Sequence, residues 1–150
     1  ENPIATFEEY FKLINENLIV APGQNVHFEP GRAIVAQCGH LISRVLYVQV
    51  GQKKKFAILD AGMNDLIRPA LYHAHHKIDN LTSTGRKLRY DVVGPVCESS
   101  DFWDKKIVLP DTNRGDLIAI RSAGAYGQGM GRRYNQRDLA KAYYSDDLKK

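Results

Sequence analysis

The chain has 150 residues, 43% of them apolar and 25% charged. That is the composition of one globular domain with its own core, and it excludes a disordered or fibrous polypeptide. No apolar run approaches the roughly 20 residues of a membrane-spanning helix and no signal-peptide pattern opens the chain, so neither a membrane protein nor a secreted one is expected.

The net charge is +4. Lys53, Lys54 and Lys55 suit a solvated hairpin tip, and Lys149 and Lys150 a polar tail. Arg132, Arg133 and Tyr134 form only a faint basic and aromatic patch, so nucleic-acid binding is not expected. Cys38 and Cys97 lie far apart, with neither metal-type spacing nor the density of a disulfide framework. They are expected to be free thiols of a cytoplasmic protein. The first residue is Glu1 rather than Met, which suggests a trimmed chain.

In chain order, Ile4, Phe7, Phe11, Ile14 and Leu18 recur at spacings of three and four and predict an amphipathic helix. Thr6 and Glu9 have capping-box spacing, so the helix should begin near Phe7, and Pro22-Gly23 should stop it. Val26-His27-Phe28 predicts a short strand that ends at Glu29-Pro30-Gly31-Arg32, and residues 33–37 a helical turn. Leu41–Val50 and Lys54–Asp60 predict two strands joined at Gly51-Gln52 as a hairpin. Pro69 limits Asn64–Tyr72 to a short helix. Lys87–Val96, Ile107–Leu109 and Leu117–Arg121 predict further short strands, and strands at this spacing suggest an antiparallel barrel or sandwich. The tail after Tyr134 is expected to be irregular or briefly helical. There is no internal repeat and no low-complexity segment. A helix and one strand ahead of a self-contained β pattern have the order of the last unit of a (β/α) barrel.

Four stretches could carry chemistry. In Glu29-Pro30-Gly31-Arg32, a glycine lets backbone N–H groups approach an anion between a carboxylate and a guanidinium. An ordinary turn with an exposed ion pair accounts for the same residues. In Asp60–Tyr72, Arg68 and Tyr72 stand one helical turn apart, a pairing that suits a carboxylate. A surface arginine beside a packing tyrosine is the alternative. In Val92–Asp101, Cys97 next to Glu98 could serve proton transfer and cation binding, or Cys97 could be a buried structural cysteine at a strand end. In Ala123–Gly127, two glycines around Tyr126 suggest a turn that presents the phenol, while the alternating Gly127, Gly129 and Gly131 do not form a dinucleotide fingerprint. His73, His75 and His76 lack a fixed acidic partner, and no metal site is expected.

Taken together, Glu-Pro-Gly-Arg, Asp-Ala-Gly-Met-Asn-Asp-Leu-Ile-Arg-Pro-Ala-Leu-Tyr, Val-Val-Gly-Pro-Val-Cys-Glu-Ser and Gly-Ala-Tyr-Gly resemble the diaminopimelate decarboxylases, from about Phe28 to Tyr134. The second block is the most specific. Related ornithine and arginine decarboxylases share the first block and the cysteine region but not that wording. The resemblance implies a fold-type III enzyme dependent on pyridoxal 5'-phosphate (PLP), with a (β/α) barrel followed by a Greek-key-type β-barrel like that of alanine racemase. On this basis the chain is expected to be mainly β, with residues 1–37 a remnant of the (β/α) barrel and residues 38–150 the C-terminal β-barrel with a polar tail. The implied reaction is decarboxylation of meso-2,6-diaminopimelate to L-lysine and CO₂ in lysine biosynthesis, by a cytoplasmic homodimer whose active sites are shared across the interface.

The resemblance also implies roles for individual residues. Glu29 would face the pyridine nitrogen of PLP and keep it protonated, so that the ring accepts the electron pair left by CO₂ loss. Pro30 and Gly31 would shape and contact the phosphate site, and Arg32 would reach phosphate or a substrate carboxylate. Arg68 and Tyr72 would hold the distal end of the substrate. Cys97 would donate the proton after decarboxylation, Glu98 would bind a substrate ammonium, and both would reach the other subunit's site. Tyr126 would touch cofactor and substrate. The family's Schiff-base lysine, catalytic histidine and glycine-rich phosphate loop belong to its earlier barrel, and none of the 11 lysines here sits in that context. The isolated chain is therefore expected to be inactive, without bound PLP, and weakly self-associating. A carboxynorspermidine-type relative and a non-catalytic dimerisation module are the competing readings. The tail after Tyr134 departs from the family's usual Pro-rich ending.

Overall fold

The computed structural model describes residues 5–149; Glu1, Ile4 and Lys150 lie outside it. Six strands dominate: β1 (Leu41–Val50), β2 (Lys55–Leu59), β3 (Ile78–Asn80), β4 (Lys87–Val93), β5 (Phe102–Pro110) and β6 (Leu117–Ile120). They form one sheet in the order β3-β6-β1-β2-β4-β5. The long strand β1 makes this possible by changing partners. Its first half, Leu41–Arg44, pairs with β6, and its second half, Val45–Val50, pairs with β2. The two ends of the order approach each other. Ser83 Oγ donates to the Asp111 carbonyl at 2.6 Å, and Asn80 Nδ2 donates to Thr112 Oγ1 at 3.1 Å. The sheet is thereby a nearly closed barrel, which blunts its edges.

Alternation along β1 shows how the core is filled. Ser43 and Val45 are buried, but the inward phase then slips to Val48. The cause is a bulge: Val45 opposes Leu59 and Tyr47 opposes Ile58, so Leu46 is the extra residue. Inside the barrel lie Val45, Leu59, Leu66, Tyr90, Val92, Trp103, Leu109, Ile118 and Ile120, among others. Buried Tyr90 keeps its phenol satisfied, accepting from Thr112 N at 3.0 Å and meeting Asp111 Oδ1 at 3.3 Å.

The mainly-β architecture, the β1–β2 hairpin and free Cys38 and Cys97 agree with the sequence reading. Several boundaries do not. Val26-His27-Phe28 is not a strand; with no sheet edge beside it, its apolar pattern has nothing to pair with. The sheet is not wholly antiparallel, because β2 and β4 run parallel, with α3 and β3 lying between them in the chain. Strand β4 stops at Val93, since Gly94 begins a tight loop, and β5 starts five residues before Ile107. Strand β3 has only three residues and shows no alternation long enough to read.

Three helices complete the described elements: α1 (Phe7–Asn17), α2 (Arg32–Val35) and α3 (Arg68–Tyr72). Helix α1 begins at the expected capping box, with Thr6 N donating to Glu9 Oε2 at 2.8 Å and Glu9 N donating to Thr6 Oγ1 at 3.2 Å. It ends at Asn17, before Pro22-Gly23, because Leu18 turns to an extended conformation. It packs against no other described helix or strand. Phe28 meets it instead, edge-on to Phe11 with ring centroids 5.0 Å apart.

Candidate active-site surface

Two loop-borne groups of side chains gather the sequence-predicted residues. The first depends on a close crossing of two backbones. Gly39 and Gly124 pass so near each other that a Cβ on Gly39 would fall 2.6 Å from the Gly124 Cα, and one on Gly124 would fall 2.1 Å from the Val35 carbonyl oxygen. Ala123 N donates to Gly39 O at 2.9 Å and Gly124 N to Ala36 O at 3.0 Å, which locks the segment after α2 onto the segment after β6. As a result Gly31, at the start of α2, lies beside Tyr126: a Cβ there would be 3.8 Å from the phenol oxygen. Tyr126 has a left-handed backbone (φ 64°) and is half exposed.

Arg68 joins this group from α3. Its guanidinium carbon lies 5.3 Å from the Tyr72 ring centroid and 6.0 Å from that of Tyr126, within cation–π range of both. The i, i+4 spacing of Arg68 and Tyr72 thus does place them together. Glu29, Pro30 and Arg32 are exposed on the same segment as Gly31. Below them His76 is buried, with Nδ1 2.8 Å from the Arg121 carbonyl oxygen. Burial is the chief cause that lowers its pKa below the ordinary histidine value. The Arg121 carbonyl opposes this, and the positive charges of Arg68, Arg32 and His75 add to the lowering. The three histidines do not converge. His73 ends α3 in a left-handed conformation, and His75 Nδ1 lies 3.1 Å from Asp104 Oδ2. Among the described residues no group of three His, Cys, Asp or Glu side chains is arranged to hold a metal ion.

The second group is the loop from Gly94 to Asp101, which carries Cys97 and Glu98 on its outside. Both are exposed, so the alternative of a buried structural cysteine does not hold. Asp101 is the core of the loop and is itself buried. One carboxylate oxygen accepts from Val96 N at 2.6 Å and the other from Met63 N at 2.7 Å. Its backbone accepts from Gly94 N at 3.0 Å and donates to Glu98 O at 3.0 Å. A Cβ on Gly94 would strike the Asp101 carboxylate at 2.3 Å. Burial pushes the Asp101 carboxyl above the ordinary value, while the Val96 and Met63 N–H groups pull it back. Through Met63 the loop is tied to the Asp-Ala-Gly-Met segment that leads into α3.

The tail after Gly131 closes over both loops. Arg132 N donates to Asn64 O at 2.9 Å, Arg137 donates through an Nη to the Asp60 carbonyl, and Tyr134 Oη donates to Glu98 Oε1 at 2.6 Å. That bond is the main reason the Tyr134 phenol holds its proton to higher pH than usual. The tail therefore has a defined role that its composition did not reveal. Asp101, Tyr134 and the Gly39–Gly124 crossing were not identified as site elements from sequence, and His76 was considered only as a metal ligand. Glycines and a short-range acidic residue have no periodic pattern, so only the contact partners disclose them.

With this geometry in place, comparison with known proteins is informative. Residues 16–124 match the family model described as the pyridoxal-dependent decarboxylase, C-terminal sheet domain. The chain is 59% identical over 145 residues to a diaminopimelate decarboxylase of Bacteroides thetaiotaomicron, covering 97% of this chain and 38% of that protein. It superposes on a point variant of Helicobacter pylori diaminopimelate decarboxylase complexed with L-lysine with a TM-score of 0.80 and 44% identity, covering 93% of this chain and 34% of that one. A diaminopimelate decarboxylase structure from M. jannaschii gives a TM-score of 0.72 at 40% identity, covering 74% of this chain and 26% of that one. The chain thus spans little more than a third of the relatives it matches. It belongs to the pyridoxal-dependent decarboxylase family, and its residues 16–124 are that family's C-terminal sheet domain.

Proposed function

We propose that this chain supplies the sheet-domain side of a PLP-dependent diaminopimelate decarboxylase active site, in a cytoplasmic enzyme that converts meso-2,6-diaminopimelate to L-lysine and CO₂. The observation that carries the reading is the convergence of Gly31, Arg68, Tyr72 and Tyr126, from three separate parts of the chain, on one exposed surface. We assign residues 1–37 to the end of a (β/α) barrel and residues 38–150 to the sheet domain and its tail.

The residues present fit the cofactor. Gly31 leaves its backbone open beside the Tyr126 phenol, so a phosphate oxygen can meet an N–H and an O–H together, with Pro30 shaping the turn and Arg32 nearby. Exposed Glu29 on the same segment is the carboxylate for the pyridine nitrogen. When bound, PLP supplies an electron sink that stabilises the electron pair left when CO₂ departs. The chain's own groups bind and orient. Arg68, its plane set by Tyr72 and Tyr126, takes the distal carboxylate of the substrate. Glu98 accepts a hydrogen bond from a substrate ammonium, sharing its carboxylate with Tyr134. Cys97 Sγ delivers a proton to the carbon that has lost CO₂. Cys97 and Glu98 stand on a different loop from Arg68, and we assign them to the neighbouring site of a homodimer.

The 150 residues alone should release no CO₂ from meso-diaminopimelate even with added PLP, because none of their lysines matches the one that anchors the cofactor in the family. Joined in place of the corresponding part of the Bacteroides relative, they should restore turnover. In that chimera Arg68→Ala should raise KM about a hundredfold, since a bidentate charge-assisted contact is lost. A folded, PLP-loaded chimera that is inert towards meso-diaminopimelate would overturn the reading.

A further inference from the structure

We propose that His76 is a positioning residue for Arg68: its imidazole, fixed as the Nδ1–H tautomer by the Arg121 carbonyl, holds the Arg68 Nε–H through one bridging water.

The argument begins with the turn after α3. His73 adopts a left-handed conformation, and the chain folds back so that Ala74 N reaches the Arg68 carbonyl at 3.4 Å. This return carries His76 into the interior beneath α3, where it is 2% exposed. There Nδ1 sits 2.8 Å from Arg121 O. A carbonyl oxygen can only accept, so Nδ1 carries the proton. With the ring neutral, Nε2 is then a lone-pair acceptor. A second proton on the ring would be opposed by burial and by the positive charges of Arg68, Arg32 and His75 around it.

Nε2 is buried and has no hydrogen-bond partner, and the same is true of Arg68 Nε. One is an acceptor and the other a donor. Arg68 is also the charge that acts most strongly on the His76 ring, so the two orphaned atoms share one buried neighbourhood. Buried polar groups of native proteins are almost always satisfied, and a water between an acceptor and a donor is the usual solution when they are too far apart for direct contact. The rings of Tyr72 and Tyr126 set the plane of the guanidinium but cannot fix its Nε edge. His76 supplies that restraint and leaves the Nη–H donors free for an incoming carboxylate.

The functional consequence rests on the reading of Arg68 as a carboxylate ligand; the restraint itself does not. Nitrogen-15 NMR of the 150-residue chain tests the restraint directly. His76 should show an unprotonated Nε2, and the Arg68 Nε–H should exchange with solvent at least about tenfold more slowly than that of exposed Arg32. His76→Asn retains a donor for Arg121 O and removes the Nε2 acceptor, so Arg68 exchange should rise to the Arg32 rate. His76→Gln extends an amide oxygen toward the Nε2 position and should restore part of the protection. In the chimera described above, His76→Asn should raise KM about tenfold with kcat unchanged, and His76→Gln should lie closer to the unmodified protein. A protonated Nε2, or Arg68 exchange as fast as that of Arg32 in the unmodified chain, would overturn the proposal without any variant needing to fold. An Arg68→Ala chimera with unaltered KM would instead overturn the carboxylate role and leave the NMR result standing.

Discussion

Asp101 shows how one side chain can organise a loop that it does not visibly belong to. Its carboxylate is buried and accepts two backbone N–H groups, Val96 on one side and Met63 on the other. It thereby holds the Cys97-Glu98 loop against the segment that leads to Arg68. Burying an ionised carboxylate is unfavourable, and the two charge-assisted bonds offset that cost. Asp101→Asn keeps the shape but turns one acceptor into an NH₂ donor facing another donor. The expected loss is about 1–3 kcal/mol of stability, read as a lower midpoint in urea denaturation. An unchanged midpoint would mean that the loop does not depend on this carboxylate.

At the scale of elements, the site depends on the place where the segment after α2 crosses the segment after β6. Neither α2, with four residues, nor the turn that carries Tyr126 could hold its position by intrinsic propensity. The crossing works because Gly39 and Gly124 present no side chains to each other. Gly124→Ala would drive a methyl to 2.1 Å from the Val35 carbonyl and 3.0 Å from Cys38 Sγ. Backbone must move there, so the two segments should separate while the barrel stays folded. The barrel's own core, around Leu59, Tyr90 and Ile118, lies elsewhere. The measurement is backbone NMR: shifts of residues 31–39 and 123–127 should change and those of β2, β4 and β5 should not. Unchanged shifts at Gly31 and Tyr126 would refute this account of how the site is assembled.

The whole molecule carries more surface than a finished globule of its mass. It exposes 11208 Å², whereas a compact monomer of 16.9 kDa exposes about 7700 Å². Much of the excess is apolar: Ile19 is 94% exposed, and Leu18, Val20 and Phe28 are open beside α1, whose own residues are nowhere fully buried. A contiguous bare apolar face of this kind is an association surface. The isolated chain should therefore self-associate, with sedimentation coefficients that rise with concentration, and Ile19→Lys with Phe28→Lys should suppress the rise. A monomer at millimolar concentration would contradict the expectation. The exposed face lies on residues proposed here to belong to a (β/α) barrel, which is where a missing partner would leave it.

What the sequence determined by itself was whatever depends on neighbours in the chain. The capping box at Thr6 and Glu9, the hairpin of β1 and β2, the limit that Pro69 puts on α3 and the pairing of Arg68 with Tyr72 all follow from spacing, because hydrogen-bond and side-chain periods are local. The wording of four short blocks added the family. What only the tertiary structure decided was contact between distant segments. It brought Gly31 to Tyr126, placed His76 and Arg68 with an unpaired acceptor and an unpaired donor, and gave the tail a partner in Glu98. It also removed the strand expected at Val26-His27-Phe28 and made β3 from three residues with no legible pattern. The physical reason is the same in each case. A strand exists only where an edge is available to pair with it, and a buried polar atom acquires its role from the group that packing sets opposite it.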